Sequence, residues 1–174
     1  MDETQRRSKE KIIDYEIYTD GSLRRLGKNM TFGAWGFIVV KSNCEIYEAS
    51  GSEYNTTNQR MELEAIVQGL KYISTIRRPN ERIIIYSDSA YAINCYKQEW
   101  YIKWLENGWI NSKKETVANK DQWIQLIPYF DHFWYTFSKV EGHKGVFWNE
   151  KCNDMVQRET ENMKINWRGE QQHE

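Results

Sequence analysis

The sequence has almost no net charge and few cysteines. Its 24 Lys and Arg residues stand against 25 Asp and Glu residues, which gives a formal net charge of −1. This balance excludes a globally basic nucleic-acid-binding protein, so any positive surface must be local. The cysteines at Cys44, Cys95 and Cys152 lie far apart and have no CxxC or zinc-ligand spacing. They favour buried thiols in a reducing compartment.

Long apolar runs and internal repeats are also missing. No stretch has the length of a transmembrane helix, and no signal-peptide pattern is recognisable. We therefore expect a cytoplasmic protein without membrane contact. We also expect it to act as a monomer. What the sequence does have is aromatic: eight of its 174 residues are Trp. The length is enough for one domain with a substantial buried core.

The first periodic stretch leads into an acid followed by a glycine. Residues 13–17 alternate between apolar and polar, which predicts a strand with one buried face that runs up to Asp20 and Gly21. A carboxylate at a strand end, beside a residue without a side chain, can hold a metal or approach a phosphate. The plain alternative is an Asp-Gly hairpin turn. Residues 1–11 are charged and aperiodic, so we expect a disordered arm.

The remaining pattern predicts an α/β domain over residues 12–160, with the order β-β-β-α-β-α-α-α-β-α. After a loop at 22–31, further strands are expected at 32–41, 44–54, 82–87 and 133–140, and helices at 57–73, 90–96, 100–105, 120–130 and 149–160. Short turns make the first three strands antiparallel, whereas strands one, four and five, joined through helices, should be parallel neighbours. Residues 161–174 are polar and are expected to form a frayed tail.

Three acids fall where this topology can bring them together. Asp88 follows the fourth strand, and Glu62 lies one turn into the first helix. Parallel neighbours place Asp20 and Asp88 at one edge of the sheet. Converging carboxylates repel unless cations neutralise them, and oxygen ligands suit Mg²⁺ or Mn²⁺ rather than zinc. Alternatively, Glu62 is a solvated first-turn glutamate and Asp88 is a helix N-cap.

Five motifs in order resemble those of type 1 ribonuclease H: YTDGS at 18–22, TTNQRMELEAI at 56–66, IYSDS at 85–89, GHKG at 142–145 and NEKCND at 149–154. The resemblance extends over about residues 12–160. It implies the ribonuclease H-like fold, a five-stranded mixed sheet of three antiparallel and two parallel strands flanked by helices. It also implies endonucleolytic cleavage of the RNA strand of an RNA–DNA hybrid. Two Mg²⁺ ions, with Mn²⁺ as a possible substitute, would leave 5′-phosphate and 3′-hydroxyl ends.

The same resemblance implies roles for individual residues. Asp20 would bridge both ions, Glu62 would ligate one ion near the ribose 2′-hydroxyl, and Asp88 would hold the ion that activates water. His143 matches the family's loop histidine, which assists proton transfer or product departure. Without its flanking glycines and lysine, His143 would be interpreted as an ordinary surface histidine.

The sequence departs from the family at the fourth metal ligand, which falls on Asn153. An amide offers one carbonyl oxygen but no charge, which weakens the second cation site. An Asp→Asn change made to hold substrate uncleaved is favoured because the motif is otherwise intact; a natural difference is the second interpretation. The third, replacement by Asp154, ranks last because that side chain is about 100° further round the helix. We predict weak cleavage with retained hybrid binding.

The resemblance also implies residues that hold the substrate. They comprise the channel residues Trp100, Trp104 and Ser112 of the family's DNA-gripping handle, the phosphate-pocket residues Thr57 and Asn119 with Asn55 nearby, the groove contacts Asn58 and Gln59, and the loop residues Gly21, Ser22 and Asn29. The alternatives are that the two Trp residues pack a helix pair and that Thr57 only caps a helix. The handle mixes lysines with glutamates, and contacts to backbone and groove shape predict no sequence specificity.

Other functions remain open at this point. Asn153 motivates a catalytically silent hybrid-binding module, which a cleavage assay in Mg²⁺ or Mn²⁺ would separate from a nuclease. A different nuclease on the same fold would cleave duplex DNA without ribonucleotides. ATP binding through the Asp-Gly-Ser segment, as in sugar kinases of related topology, is disfavoured because no second phosphate loop is present.

Overall fold

The computed structural model describes residues 13–26, 29–132, 134–139 and 147–171. The arm predicted over residues 1–11 and the loop residue His143 lie outside these ranges. Within them, no helix is long and apolar enough to cross a lipid bilayer.

Five strands and five helices follow one another in the predicted order among the described residues. The strands are β1 (Tyr15–Leu26), β2 (Met30–Lys41), β3 (Cys44–Tyr54), β4 (Arg82–Ser87) and β5 (Trp134–Lys139). The helices are α1 (Asn58–Ile76), α2 (Ala90–Lys97), α3 (Trp100–Glu106), α4 (Lys120–His132) and α5 (Phe147–Gln171).

The strands form one mixed sheet in the order β3-β2-β1-β4-β5. β1 pairs antiparallel with β2, and β2 pairs antiparallel with β3. β4 lies parallel to both of its neighbours, β1 and β5. The predicted fold class and strand directions are therefore confirmed.

Helices cover both faces of the sheet because β1 and β2 bury alternate residues on opposite sides. On one face Ile17 and Val39 join the large core beneath α1, which also contains Trp123 of α4. On the other face Tyr18 and Ile38 pack in a second cluster with Cys152 of α5. The sheet is thus held between α1 and α5, the two helices that carry Glu62 and Asn153.

The first strand is longer than the sequence predicts. It continues past Asp20 to Leu26, because β2 pairs with it as far as Leu26 and Met30. The loop expected at 22–31 is therefore wrong over residues 22–26, which belong to β1, and over residues 30–31, which belong to β2. Arg24 and Arg25 concealed this extension, since basic residues on an exposed strand end resemble a loop in sequence.

The last helix is also longer than predicted. It runs to Gln171, so the frayed tail expected from residue 161 is wrong over residues 161–171. Thr160 and Met163 are buried and continue the inward-facing stripe of the helix. The polar residues between them hid that stripe. Pro128 does not end α4, which continues to His132.

Candidate active site

Three carboxylates meet at one edge of the sheet. One oxygen from each of Asp20, Glu62 and Asp88 lies within 4.8 Å of the others. Asp20 and Glu62 are buried, at 8% and 4% exposure, whereas Asp88 is exposed. The cluster is therefore closed on the protein side and open to solvent at Asp88.

Strand register accounts for the meeting of Asp20 and Asp88. The parallel pairing of β1 with β4 aligns Tyr18 with Tyr86, so the residues two positions further on lie at the same level. The Thr19 hydroxyl donates a hydrogen bond to the Tyr86 carbonyl oxygen at 2.9 Å and holds the strands together just before they part. Asp20 is thus in the middle of β1, paired with Gly36, rather than at the strand end that we expected.

Gly21 accounts for the approach of Glu62. A Cβ atom on Gly21 would lie 2.6 Å from the backbone nitrogen of Glu62 and 2.9 Å from the carbonyl carbon of Met61. Only a residue without a side chain allows α1 to touch β1 here. The backbone amide of Gly21 also donates to Asp20 Oδ1 at 3.0 Å, which orients that carboxylate.

Glu62 carries the strongest electrostatic signature of the cluster. Burial raises its pKa well above the ordinary value, and the nearby charges of Asp88 and Asp20 raise the pKa further. Its Oε2 atom is fully buried and accepts no hydrogen bond from the described residues. A desolvated carboxylate oxygen among two other carboxylates fits a divalent cation.

The simpler interpretations of these acids are wrong. Glu62 is not solvated. Asp88 does not cap α2, because Ser89 is the N-cap residue and its side chain accepts a hydrogen bond from the amide of Ala92 at 3.2 Å. The Asp-Gly pair at 20–21 is part of β1 and not a hairpin turn.

Asn153 approaches the same edge from α5. The Sγ atom of its neighbour Cys152 lies 3.4 Å from the carbonyl oxygen of Gly36, the residue that pairs with Asp20. Asn153 is half-buried, and its Oδ1 atom accepts a hydrogen bond from Gln157 Nε2 at 3.4 Å. Asp154 is exposed and is not part of the group of acids that meets at this edge.

Four of the predicted substrate residues line one cavity. This cavity of about 570 Å³ lies between α1, α3 and the segment after α3, and its lining includes Gln59, Trp100, Trp104 and Ser112. Trp104 also packs edge-on against the buried Trp123, with ring centroids 5.5 Å apart. The indoles therefore contribute both to the core and to the cavity wall.

Two further predicted substrate residues, Thr57 and Asn119, lie at the starts of helices. Thr57 is the N-cap of α1, and its hydroxyl accepts from the amide of Arg60 at 3.2 Å. The Asn119 carbonyl accepts from the first turn of α4, and Arg60 binds Asp121 of that turn through two hydrogen bonds of 2.9 and 2.8 Å. The starts of α1 and α4 are therefore adjacent.

Three predicted substrate residues are exposed and lie outside the acid cluster. Asn29 is exposed in the turn between β1 and β2, well beyond the level of Gly21 and Asp20, since β1 continues to Leu26. At about 3.3 Å per residue the six positions from Asp20 to Leu26 alone place it roughly 20 Å from the cluster. Asn55 is exposed before α1 with a φ of 54°, and its amide donates to the Thr31 carbonyl at 2.7 Å. A third residue, Asn58, is exposed in the first turn of α1.

Gln157 and Arg24 were not predicted from the sequence, although Gln157 lies beside Asn153 and Arg24 contacts Gln157. Arg24 Nη2 donates to Gln157 Oε1, and Gln157 Nε2 lies 3.4 Å from Ser22 Oγ. A helical spacing of four between Asn153 and Gln157 was a usable signal. The early end assigned to β1 concealed the other half of the pattern.

Comparison with known proteins identifies the family. The RNase H family model matches residues 13–161. The chain is 43% identical over 140 residues to the ribonuclease H of Syntrophomonas wolfei subsp. wolfei, covering 80% of this chain and 91% of that protein. The chain belongs to the ribonuclease H family. It is therefore a member of a family of hydrolytic nucleases.

Solved structures share the ribonuclease H fold at low identity. LC9-RNase H1, described as a type 1 RNase H with the type 2 active-site motif, aligns with a TM-score of 0.70 and 22% identity over 83% of this chain and 70% of that one. The foamy viral protease-reverse transcriptase in complex with RNA/DNA hybrid aligns with a TM-score of 0.72 and 17% identity. That match covers 84% of this chain but only 20% of the viral chain.

Proposed function

We propose that this ribonuclease H family member is an endoribonuclease that cleaves the RNA strand of RNA–DNA hybrids, leaving 5′-phosphate and 3′-hydroxyl ends. The observation that carries the proposal is the meeting of Asp20, Glu62 and Asp88, with a buried Glu62 oxygen that accepts no hydrogen bond from the described residues. The relative named ribonuclease H and the fold shared with a viral protein solved on RNA/DNA hybrid support the choice of substrate.

The donor set fits Mg²⁺ or Mn²⁺. Asp20, Glu62 and Asp88 would supply carboxylate oxygens, and Asn153 would add its amide oxygen. Bound ions would supply a more acidic water and stabilise the charge on the attacking and leaving oxygens of the phosphodiester. Two ions are favoured because three carboxylates are more than one divalent charge balances.

The chain's own residues bind and orient the hybrid. The aromatic cavity between Gln59, Trp100 and Trp104 offers flat faces for sugars and bases, and Lys103 in its lining can meet a phosphate. Thr57 and Asn119, at adjacent helix starts, would hold a phosphate of the DNA strand. His143 is proposed to move a proton at the leaving oxygen.

We further propose that Asn153 weakens cleavage without preventing hybrid binding. Replacing a carboxylate by an amide removes one negative charge from the donor set, which lowers the affinity for the second cation. The rival function, a catalytically silent hybrid-binding module, is favoured by this same residue. Asp154 is exposed and apart from the cluster, so it does not restore the lost charge.

A cleavage assay on matched duplexes tests the proposal. End-labelled RNA–DNA hybrid, duplex RNA and duplex DNA of one sequence are incubated with Mg²⁺ or Mn²⁺, and the product ends are mapped. We expect cleavage of the hybrid's RNA strand only, loss of cleavage in Asp88→Asn, and faster cleavage in Asn153→Asp. Asp154→Asn, one position along α5, is the matched control and should leave the rate unchanged.

Each alternative has its own result in that assay. Hybrid binding without cleavage in any variant, Asn153→Asp included, would establish the binding module instead. Cleavage of duplex DNA would point to another nuclease on this fold. Equal rates for the chain and for Asn153→Asp would discard the impairment by Asn153.

A further inference from the structure

A polar ladder runs between β1 and α5 beside the acids. Asp20, Ser22 and Arg24 alternate along β1 and therefore project on one side of the strand. Asn153 and Gln157 lie four residues apart on α5 and share one face of the helix. Ser22 is buried, at 5% exposure, and Arg24 is exposed. The ladder thus extends from the acid cluster to the solvent.

Gln157 is at the centre of this ladder, and both the nitrogen and the oxygen of its side-chain amide form hydrogen bonds. Its Nε2 atom donates to Asn153 Oδ1 and to Ser22 Oγ, each at 3.4 Å. Its Oε1 atom accepts from the Arg24 guanidinium. Because a guanidinium can only donate, Arg24 fixes which end of the Gln157 amide faces Asn153. That end is the NH₂ group.

This arrangement selects one orientation of the Asn153 amide. An NH₂ group can pair with the oxygen of Asn153 but opposes its NH₂ group, so turning the Asn153 amide over would set two donors against each other. A carboxylate at the same position needs no such selection, because its two oxygens are equivalent acceptors. The selection therefore matters only when residue 153 is an amide.

We propose that Gln157, braced by Arg24 and Ser22, is a positioning residue that holds the amide oxygen of Asn153 in place for a divalent cation. The inference rests on the proposed function. It adds a role for Gln157 that is needed only when residue 153 is an amide, as it is in this chain. One lone pair of the Asn153 oxygen accepts from Gln157, and the other remains for the cation. Outer contacts of this kind determine the orientation of metal ligands.

The test is a double-mutant comparison read by cation binding. Gln157→Leu is made in the chain as it stands and in the Asn153→Asp variant, and Mn²⁺ binding to each full chain is measured by calorimetry. In the chain that carries Asn153, we expect Gln157→Leu to lower the affinity of the weaker Mn²⁺ site about tenfold. Losses of this size are typical when a residue that hydrogen-bonds to a metal ligand is removed. In the Asn153→Asp background the fall should stay within about twofold, because either carboxylate oxygen serves.

Two further variants separate positioning from packing. Arg24→Leu, at an exposed residue, removes the hydrogen bond to Gln157 without changing any residue of α5. It should weaken Mn²⁺ binding only in the chain that carries Asn153. Arg158→Leu, at the next exposed position of α5, is the control and should change neither background. Thermal unfolding of each variant without metal measures any loss of stability.

The outcomes are distinct. Equal losses in the two backgrounds, or no loss in either, overturn the positioning role and leave the proposed nuclease function intact. Absence of Mn²⁺ binding even with Asn153→Asp and Gln157 unchanged overturns both.

Discussion

The two helices that flank the sheet deliver their site residues by different means. On the α1 side, Glu62 is carried against Asp20 by a backbone contact at Gly21 and by the apolar core, and its buried oxygen has no hydrogen-bond partner among the described residues. On the α5 side, Asn153 is neutral and hydrogen-bonded through Gln157. On the α1 side, packing therefore holds the carboxylates together although they repel one another. On the α5 side, polar contacts orient a neutral ligand. We therefore expect substitutions on the α1 side to act mainly by lowering the stability of the protein. Substitutions on the α5 side should act mainly by changing the orientation of the Asn153 side chain.

The most damaging change to the α1 side should be Gly21→Ala. The added methyl would lie 2.6 Å from the Glu62 backbone nitrogen, and neither the strand nor the helix backbone can move aside freely. We expect a loss of roughly 2–3 kcal/mol in the free energy of unfolding, as for other overpacked cores, together with loss of cleavage. Urea titration measures it.

Gly108→Ala is the matched control for that change. Gly108 has a φ of +76° but no heavy atom within 4 Å of an added Cβ, so it isolates backbone strain from crowding. About 1 kcal/mol is expected there, with cleavage retained. A Gly21→Ala chain as stable as the Gly108→Ala chain would show that contact at Gly21 does not limit the α1 side.

The burial of Glu62, together with the nearby charges of Asp88 and Asp20, predicts a pH dependence of stability in the metal-free protein. Because the pKa of Glu62 is raised in the folded state, folding favours its protonated form. This contribution is fully present below the ordinary glutamate pKa of 4.5 and is lost as the pH rises through the raised value. Urea unfolding across this range in chelator should therefore show stability falling with pH.

Glu62→Gln should remove that fall, and Mg²⁺ should oppose it in the unmodified chain. Asp154→Asn, outside the cluster, serves as the control and should keep the fall. An unchanged slope in Glu62→Gln would mean that another group is responsible.

A smaller effect is expected at the start of α1, where Thr57 has two candidate roles. Thr57→Ala removes the hydroxyl that accepts from the Arg60 amide and should cost about 1 kcal/mol in stability. Thr57→Ser keeps an N-cap hydroxyl and should restore most of it. If phosphate contact is a separate role, the KM for hybrid should rise in Thr57→Ala beyond what its stability explains; an unchanged KM would leave Thr57 as a cap only.

The smallest effect should come from the ion pairs that join α5 to β3. Lys151 pairs with Glu45 and with Glu48, the latter at 2.8 Å, and its side chain is 31% exposed. Lys151→Met should cost less than about 1 kcal/mol, and the difference should shrink in high salt. A loss comparable to that of Gly21→Ala would contradict the view that polar contacts only orient α5.

Local sequence signals predicted the α1 side better than the α5 side. The observed bounds of β4, 82–87, are those predicted, because a continuous apolar run fills them and ends at Asp88. Asp20, Glu62 and Asp88 were grouped because parallel strands share an edge. The ladder through Arg24 and Gln157 depends on which β1 residue faces which α5 residue, across more than 130 positions of sequence, and no local period reports that. The close approach at Gly21 was likewise visible only in three dimensions.

The central claim is that Asp20, Glu62 and Asp88 converge to bind divalent cations at the scissile phosphate. The most direct measurement is an anomalous difference map from crystals of the full chain grown with an RNA–DNA hybrid and Mn²⁺. We expect Mn²⁺ bonded to all three carboxylates and to a phosphate of the RNA strand. A hybrid seated on the protein without Mn²⁺ at these three residues, at a saturating concentration, would contradict it.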